Sequence, residues 1–361
     1  MTTPPAPSER LLPHPRELLR VGPHDRAHRA ALRVALAVVV PLVVLALIGH
    51  LDWAAYAVFG AFAAPFGRNL ARFQRLGMQV EAGLLLVACV VLGATLSALH
   101  PPVWLPVLVI GVVAGLASAV SDLRRWSPPG PLFFVFGLGV TAFVPATPAS
   151  IGIAAVVSLA GLATALTATV AGAALPRGRR KRASPLGRRW SRDMPPLDGR
   201  RTALHAAICL AASIVAGLIS IAVGLDHPYW AMVSAVVPVV GRSTSAQLVR
   251  AGHRLLGTLI GVAAAAALLS VGLDDVGLIV AFGMLQFGAE MAVLRHYGLT
   301  LVFITPMALG MPALTGPVDV GSLVLDRTLD TALGIAVVVI ALLATHRLRQ
   351  GPPAPRTTRA S

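Results

Sequence analysis

Apolar stretches long enough to cross a bilayer recur along the whole chain, separated by short polar turns, and the pattern runs twice. A membrane-spanning helix needs roughly 20 mostly apolar residues, with about 17 to 25 tolerated. Such runs fall near 30–49, 53–67, 76–98, 103–121, 131–146 and 150–174, and again near 203–223, 228–241, 255–271, 276–293, 298–313 and 322–345. All are predicted to be helices, because an open sheet would leave backbone N–H and C=O groups unpaired in lipid. The expected fold class is an all-α integral membrane protein with about twelve transmembrane helices.

The duplication is visible in the rarer residues. Leu51-Asp52 matches Leu225-Asp226, and Trp53-Ala54 matches Trp230-Ala231 after a short insertion. Arg29, Ala31, Leu32 and Ala35 align with Arg201, Ala203, Leu204 and Ala207 at one constant offset, and Arg124 and Arg125 share a turn with Arg295. Six is even, so the second half starts from the same side as the first, which predicts two parallel six-helix repeats related by an axis along the membrane normal. The boundaries expected are a disordered cytoplasmic tail over 1–28, a first membrane repeat over 29–175, a basic cytoplasmic linker over 176–201, a second repeat over 202–346 and a cytoplasmic tail over 347–361.

The second helix of each half is short and interrupted, by Gly60 and Pro65 in one and Pro238 in the other. The fifth helices carry Pro145 and Pro148, and Pro306 and Pro312. Interrupted segments at corresponding positions of two halves point to a transporter's binding site, although such prolines can also be plain interfacial kinks.

Charge sets the orientation. Arg10 to Arg33, Arg68, Arg72, Arg75, Arg124, Arg125, Arg242, Arg250, Arg254, Arg295 and the 177–201 stretch all fall on one side, and Asp52, Asp226, Asp274, Asp275 and Asp319 on the other. Under the positive-inside rule the basic side, with both termini, is cytoplasmic, Arg327 being the one exception. An inner or plasma membrane location follows, with the first helix uncleaved.

Composition removes other classes. The chain is 56% hydrophobic and 12% charged, with a mean hydropathy of +0.77, whereas a soluble domain carries about 25% charged residues. The net charge of +15 lies between apolar runs, without the aromatic interleaving of a single-strand binder, so no nucleic-acid partner is expected. The linker would instead touch anionic lipid headgroups. Cys89 and Cys209 sit inside apolar runs, which argues against a disulfide framework or a thiolate metal site. Lys181 is the only lysine and offers no phosphate-binding loop, so the chain has no ATPase of its own. No HExxH, GxSxG or clustered Cys/His pattern occurs. No enzyme activity, cofactor or metal is expected.

With these residues in view, the chain resembles the fusaric acid resistance family, which includes aromatic acid exporters. Trp230 and Ala231 resemble its Trp-Ala helix; Arg254, Gly257, Thr258 and Gly261 resemble its R-x-x-G-T-x-x-G helix start. Arg327, Asp330, Thr331 and Gly334 resemble its closing R-x-x-D-T-x-x-G segment. In the first half, Trp53 and Arg75 stand at the corresponding places, but no Gly-Thr element follows Arg75. Many relatives carry a sizeable soluble domain after a six-helix block, and mechanisms depending on that part are not carried over. The resemblance implies a permease exporting small aromatic or other organic acids, here expected to be driven by the proton gradient. The alternatives are a major-facilitator-type transporter, whose loop GRNLARFQRLG resembles without the expected acidic residue, or a non-transporting scaffold. A homo-oligomer is compatible with the sequence.

Candidates for the substrate and proton pathway are Glu81, Glu290, Asp326, Arg327 and Asp330, because ionisable groups near hydrocarbon mark functional sites by default. Arg327 and Asp330, three apart, can pair on one helix face. Glu81 lies six residues past Arg75, about 9 Å deeper, and Glu290 precedes Arg295; each can instead pair with that arginine. Arg75 and Arg254 are expected to end cytoplasmic loops. Trp53, Trp230 and Tyr229 are expected to be interfacial anchors. Gly257/Gly261 and Gly111/Gly115 are expected to be close helix contacts.

Overall fold

The computed structural model describes residues 15–22, 27–174, 198–241, 243–316 and 318–346, and those residues form twelve α-helices and no strand. They are α1 (His28–Leu47), α2 (Ala54–Ala61), α3 (Arg72–Leu99), α4 (Trp104–Leu123), α5 (Leu132–Phe143), α6 (Pro148–Ala174), α7 (Gly199–Val223), α8 (Pro228–Val236), α9 (Thr244–Ser270), α10 (Asp275–Ala292), α11 (Tyr297–Gly310) and α12 (Val320–Ala344). Bundle ends are marked by their turns. Gly67 N–H donates to Ser127 O at the arginine-rich end, and Ser97 Oγ donates to Val144 O at the opposite end. These are called the basic and acidic ends below.

Among the described residues nine helices are long and apolar enough to cross a membrane, α11 counting together with the 3-10 turn Met311–Leu314. Twelve helices are present among the described residues, but twelve full spans are not shown, because α2, α5 and α8 are shorter than a span. At 1.5 Å per residue they extend about 12, 18 and 14 Å, against about 30 Å of hydrocarbon. α2 gives way to a run of turns over 62–69 that includes Gly67, whose φ of +66° favours glycine. α8 gives way to the 3-10 turn Val237–Val240, where Pro238 cannot donate a helical hydrogen bond.

Short polar side chains begin the later helices. Asp198 Oδ1 accepts from Arg200 and Arg201 N–H, Ser243 Oγ from Ala246, Asp274 Oδ1 from Gly277 and Asp319 Oδ1 from Gly321. Each satisfies backbone donors left open at a helix start. Asp274 and Asp319 are thus helix caps as well as charges of the acidic end.

In the first half α1 packs on α2 and α6, α2 on α6, α3 on α5 and α6, and α4 on α5. In the second half α7 packs on α8 and α12, α8 on α12, α9 on α11 and α12, and α10 on α11. Between the halves α4 packs on α7, α10 on α1, and α5 on α8. Glycines set the closest approaches: a Cβ on Gly161 would run into Ala57 O, and one on Gly334 into Ala231 O.

Part of the tail expected to be disordered has structure. Pro15–Leu19 form a 3-10 turn whose Leu18 O accepts from His253 Nε2 at 2.9 Å and His296 Nε2 at 2.8 Å, and Gly22 N–H donates to Arg295 O. The rest of the tail, the linker up to residue 197 and the tail over 347–361 lie outside the described residues.

Candidate functional site

The short helix α8 is buried along its whole length, and Trp230 is 2% exposed. Trp230 and Tyr229 are therefore core residues, which corrects their expected role as interfacial anchors. Trp53 stays half-buried, stacked on His50 at 4.0 Å. Because Gly334 has no side chain, α8 lies against α12 and brings Trp230 beside Arg327, whose guanidinium carbon is 5.2 Å from the ring centre. That distance suits a cation over an aromatic face.

Arg254 is not at the end of a loop. α9 starts at Thr244, eleven residues before the expected 255, and Arg254 sits in its third turn, about 15 Å along the axis and 3% exposed. The Ser243 cap is the physical reason: it starts the helix well before the apolar run begins. Arg250 and Arg254 are one turn apart and share a face. A Cβ on Gly257 would meet Gly298 O, so that glycine lets α11 close on the same face of α9. Tyr297 thereby reaches both arginines: its ring lies 4.2 Å under the Arg250 guanidinium, and its hydroxyl accepts from Arg254 Nη1 at 3.3 Å. Arg254 Nε also donates to Ser234 Oγ at 3.4 Å.

The acidic members come from α12. Asp330 is 0% exposed; its Oδ1 accepts from Ser220 of α7 at 2.6 Å, and its Oδ2 has no partner. Asp326 Oδ2 lies 2.9 Å from His227 Nδ1. Arg327 is 2% exposed, with Nε and Nη1 lacking partners. The expected Arg327–Asp330 pair does not form: one side chain turns to Trp230 and the other to Ser220. Arg327 and Arg254 lie within electrostatic reach of each other. Two buried guanidiniums held by neutral groups, beside a half-satisfied carboxylate, form an expensive arrangement, because buried charge ordinarily comes paired. Its chemistry suits a small anion carrying an aromatic or apolar body.

The first half has no such cluster. Counting back from Gly161 as Arg327 and Asp330 count back from Gly334 gives Ala154 and Val157; counting on from Gln79 as Arg254 counts on from Gln247 gives Leu86. Gln79 Nε2 donates to Ala64 O, and Gln247 Nε2 to Val239 O and Gly241 O, so these two glutamines hold equivalent breaks after α2 and α8.

The remaining candidates fall elsewhere. Glu81 is 42% exposed and bonded to Arg124, with Nε at 3.1 Å, and to Trp126 Nε1 at 3.4 Å. It forms an exposed ion pair on α3 with the turn that follows α4. Glu290 pairs with Arg68 of the other half at 3.0 Å, not with Arg295. Arg75 closes its own turn, donating to Gly67 O, Arg68 O and Leu70 O. Thr258 is fully buried, Gly261 lies against Leu301 O and Thr305, and Gly111 and Gly115 lie against Ile214 and Leu210. Tyr297, Ser220, Ser234 and His227 were missed from sequence; the shared His-x-x-Trp spacing of His50/Trp53 and His227/Trp230 was the one signal for His227.

The described residues thus form a multi-pass helical membrane protein whose second half carries a buried cluster of Arg254, Arg327 and Asp330. A family model described as fusaric acid resistance protein-like matches residues 210–341, which contain every residue of the cluster. The uncharacterized membrane protein YvaC of Bacillus subtilis (strain 168) is 33% identical over 134 residues, which are 37% of this chain and 21% of that protein. The match spans about a fifth of that relative's length. No solved structure matches the chain.

Proposed function

We propose that the protein is a permease that exports small aromatic or other organic acids across the plasma membrane, driven by the proton gradient. The observation that carries this reading is Arg327: a buried guanidinium with two open nitrogens, over an indole ring and near a second buried arginine. A carboxylate ligand would accept from Arg327 and Arg254, while its ring packs against Trp230 and Tyr297. Asp330, with one oxygen open, is the acid beside the anion and can take a proton as the anion leaves. The fusaric acid resistance-like match over 210–341 supports the same class of cargo.

The architecture in this reading is two parallel six-helix repeats, with α2, α5 and α8 as partial spans. Support comes from the neighbours, since first-to-second, first-to-sixth, second-to-sixth, third-to-fifth, third-to-sixth and fourth-to-fifth packing occurs in both halves. The basic end faces the cytoplasm by the positive-inside rule.

The test is efflux of labelled benzoate and related aromatic carboxylates from cells with and without the protein, repeated with a protonophore. Protein-dependent efflux that collapses with the gradient supports the reading. Equal retention across the panel, with the protein in the membrane, contradicts it and favours a scaffold.

A further inference from the structure

The basic end of the second half carries a second set of converging donors. His253, on α9, and His296, which starts α11, both point Nε2 at one oxygen, the backbone carbonyl of Leu18, at 2.9 Å and 2.8 Å. A carbonyl oxygen only accepts, so both imidazoles donate there. The other nitrogen of His296 agrees, since Nδ1 accepts from Leu299 N–H at 3.0 Å. The two rings lie 4.4 Å apart, and Arg250, one turn back on the same face of α9, is within electrostatic reach of His253. Arg250 rests on the Tyr297 ring at 4.2 Å, and its Nε has no partner. Beside the two donors Leu18 lays its side chain over Gly252, where a Cβ would stand 3.0 Å from Leu18 Cδ2.

We propose that this is a binding site for a small carboxylate at the basic mouth of the arginine cluster, and that the strap formed by residues 15–22 occupies it as a stand-in for the ligand. The Leu18 carbonyl holds the place of one carboxylate oxygen, and the Leu18 side chain that of the apolar body. A bound carboxylate takes both imidazole N–H bonds and adds what the carbonyl lacks, a full negative charge facing Arg250. Hydrogen bonds to an ionised acceptor are about twice as strong as neutral ones, so the anion competes with the strap. The strap is tethered at an effective concentration on the order of millimolar, so its release requires carboxylate in that range. Arg254 lies one turn, about 6 Å, further along α9, so a carboxylate passing inward meets the cluster next.

The strap is also fixed at its far end. Gly22 N–H donates to Arg295 O at 2.7 Å, and a Cβ on Gly22 would stand 3.1 Å from Leu294 O, so the segment lies flat on the turn between α10 and α11. The site belongs to the second half alone. At the interval that relates Gln79 to Gln247, His253 and His296 correspond to Leu85 and Pro128, whose side chains donate nothing. The arginine cluster shows the same asymmetry, which places both carboxylate sites on one route.

The site's role as an entry rests on the permease reading, but its test does not. Leu19, 80% exposed on the strap, is replaced by cysteine and spin-labelled in the full-length protein in nanodiscs; Cys89 and Cys209 are buried and stay unlabelled. A held strap gives an immobilised nitroxide spectrum and a released one a mobile spectrum. Sodium benzoate is titrated through the millimolar range, with benzamide and sodium chloride at equal concentrations as controls. The expected result is a mobile population that grows and saturates with benzoate, in Arg327→Leu as in the wild type, and that neither control produces. His253→Leu and His296→Asn, the latter keeping a helix cap, each raise the unliganded mobile fraction about fivefold. His253→Gln, whose amide N–H replaces Nε2–H, keeps the strap held, which separates loss of the bond from misfolding. A strap that benzoate does not release, that benzamide or chloride releases equally, or that answers benzoate only with Arg327 present overturns the proposal, as does a mobile fraction unmoved in both histidine variants. Efflux absent from cells while benzoate releases the strap supports the site and overturns only the permease reading.

Discussion

Arg327 lies with its guanidinium carbon 5.2 Å from the centre of the Trp230 ring, buried at 2% exposure with Nε and Nη1 unpaired. Gly334 lets the helix that carries the arginine approach the short helix that carries the tryptophan, since a Cβ there would meet Ala231 O. Removing the charge should therefore separate function from stability. Arg327→Leu is expected to weaken carboxylate binding about 10- to 100-fold, the worth of one hydrogen bond to a charged group. The fold should be kept or stabilised, since replacing poorly paired buried charge by apolar volume is often neutral or favourable. Ligand binding and thermal unfolding of the same preparation check both halves of this statement.

Gly334→Val should act in the opposite way. Its side chain would enter the space of Ala231 O and the Ser234 side chain, forcing α8 off α12. Overpacking of this kind costs about 1–3 kcal/mol or more. The expected outcome is a lower Tm in detergent and loss of binding, while Gly152→Val, in open space on α6, leaves Tm unchanged.

Glu290→Gln removes the carboxylate facing Arg68, both side chains being 9% exposed. Breaking a buried pair by deleting one partner costs about 3–5 kcal/mol, because the remaining charge loses its compensation. Unfolding should show a large loss in Glu290→Gln and a partial recovery in the double variant Glu290→Gln/Arg68→Gln.

Glu81→Gln is expected to leave both transport and Tm at the wild-type level. Glu81 is 42% exposed and its partner Arg124 56%, and an exposed ion pair contributes little. Flux that vanished in this variant would put the proton pathway on α3.

Helix existence was legible throughout, because apolar length is a strong signal and each expected segment contains a helix. Span length was not. The residues around Pro65 and Val239 are as apolar as a helix, so hydropathy carries through them, whereas the turns there depend on Gln79 and Gln247 reaching across to hold the freed carbonyls. The motif residues Trp230, Arg254, Arg327 and Asp330 were legible as a set, since charge in an apolar run stands out. Their partners were not: Ser220, Ser234 and Tyr297 are ordinary membrane-helix residues until Gly257 and Gly334 bring their helices close.

The central claim is that the cluster around Arg327 binds a small carboxylate. Equilibrium binding of labelled benzoate to the purified protein, compared with Arg254→Gln and Arg327→Leu, tests it most directly. The account predicts saturable binding, displaced by other aromatic carboxylates and weakened at least about tenfold in each variant. Binding of equal strength in all three proteins, or none to any carboxylate tested, would contradict it.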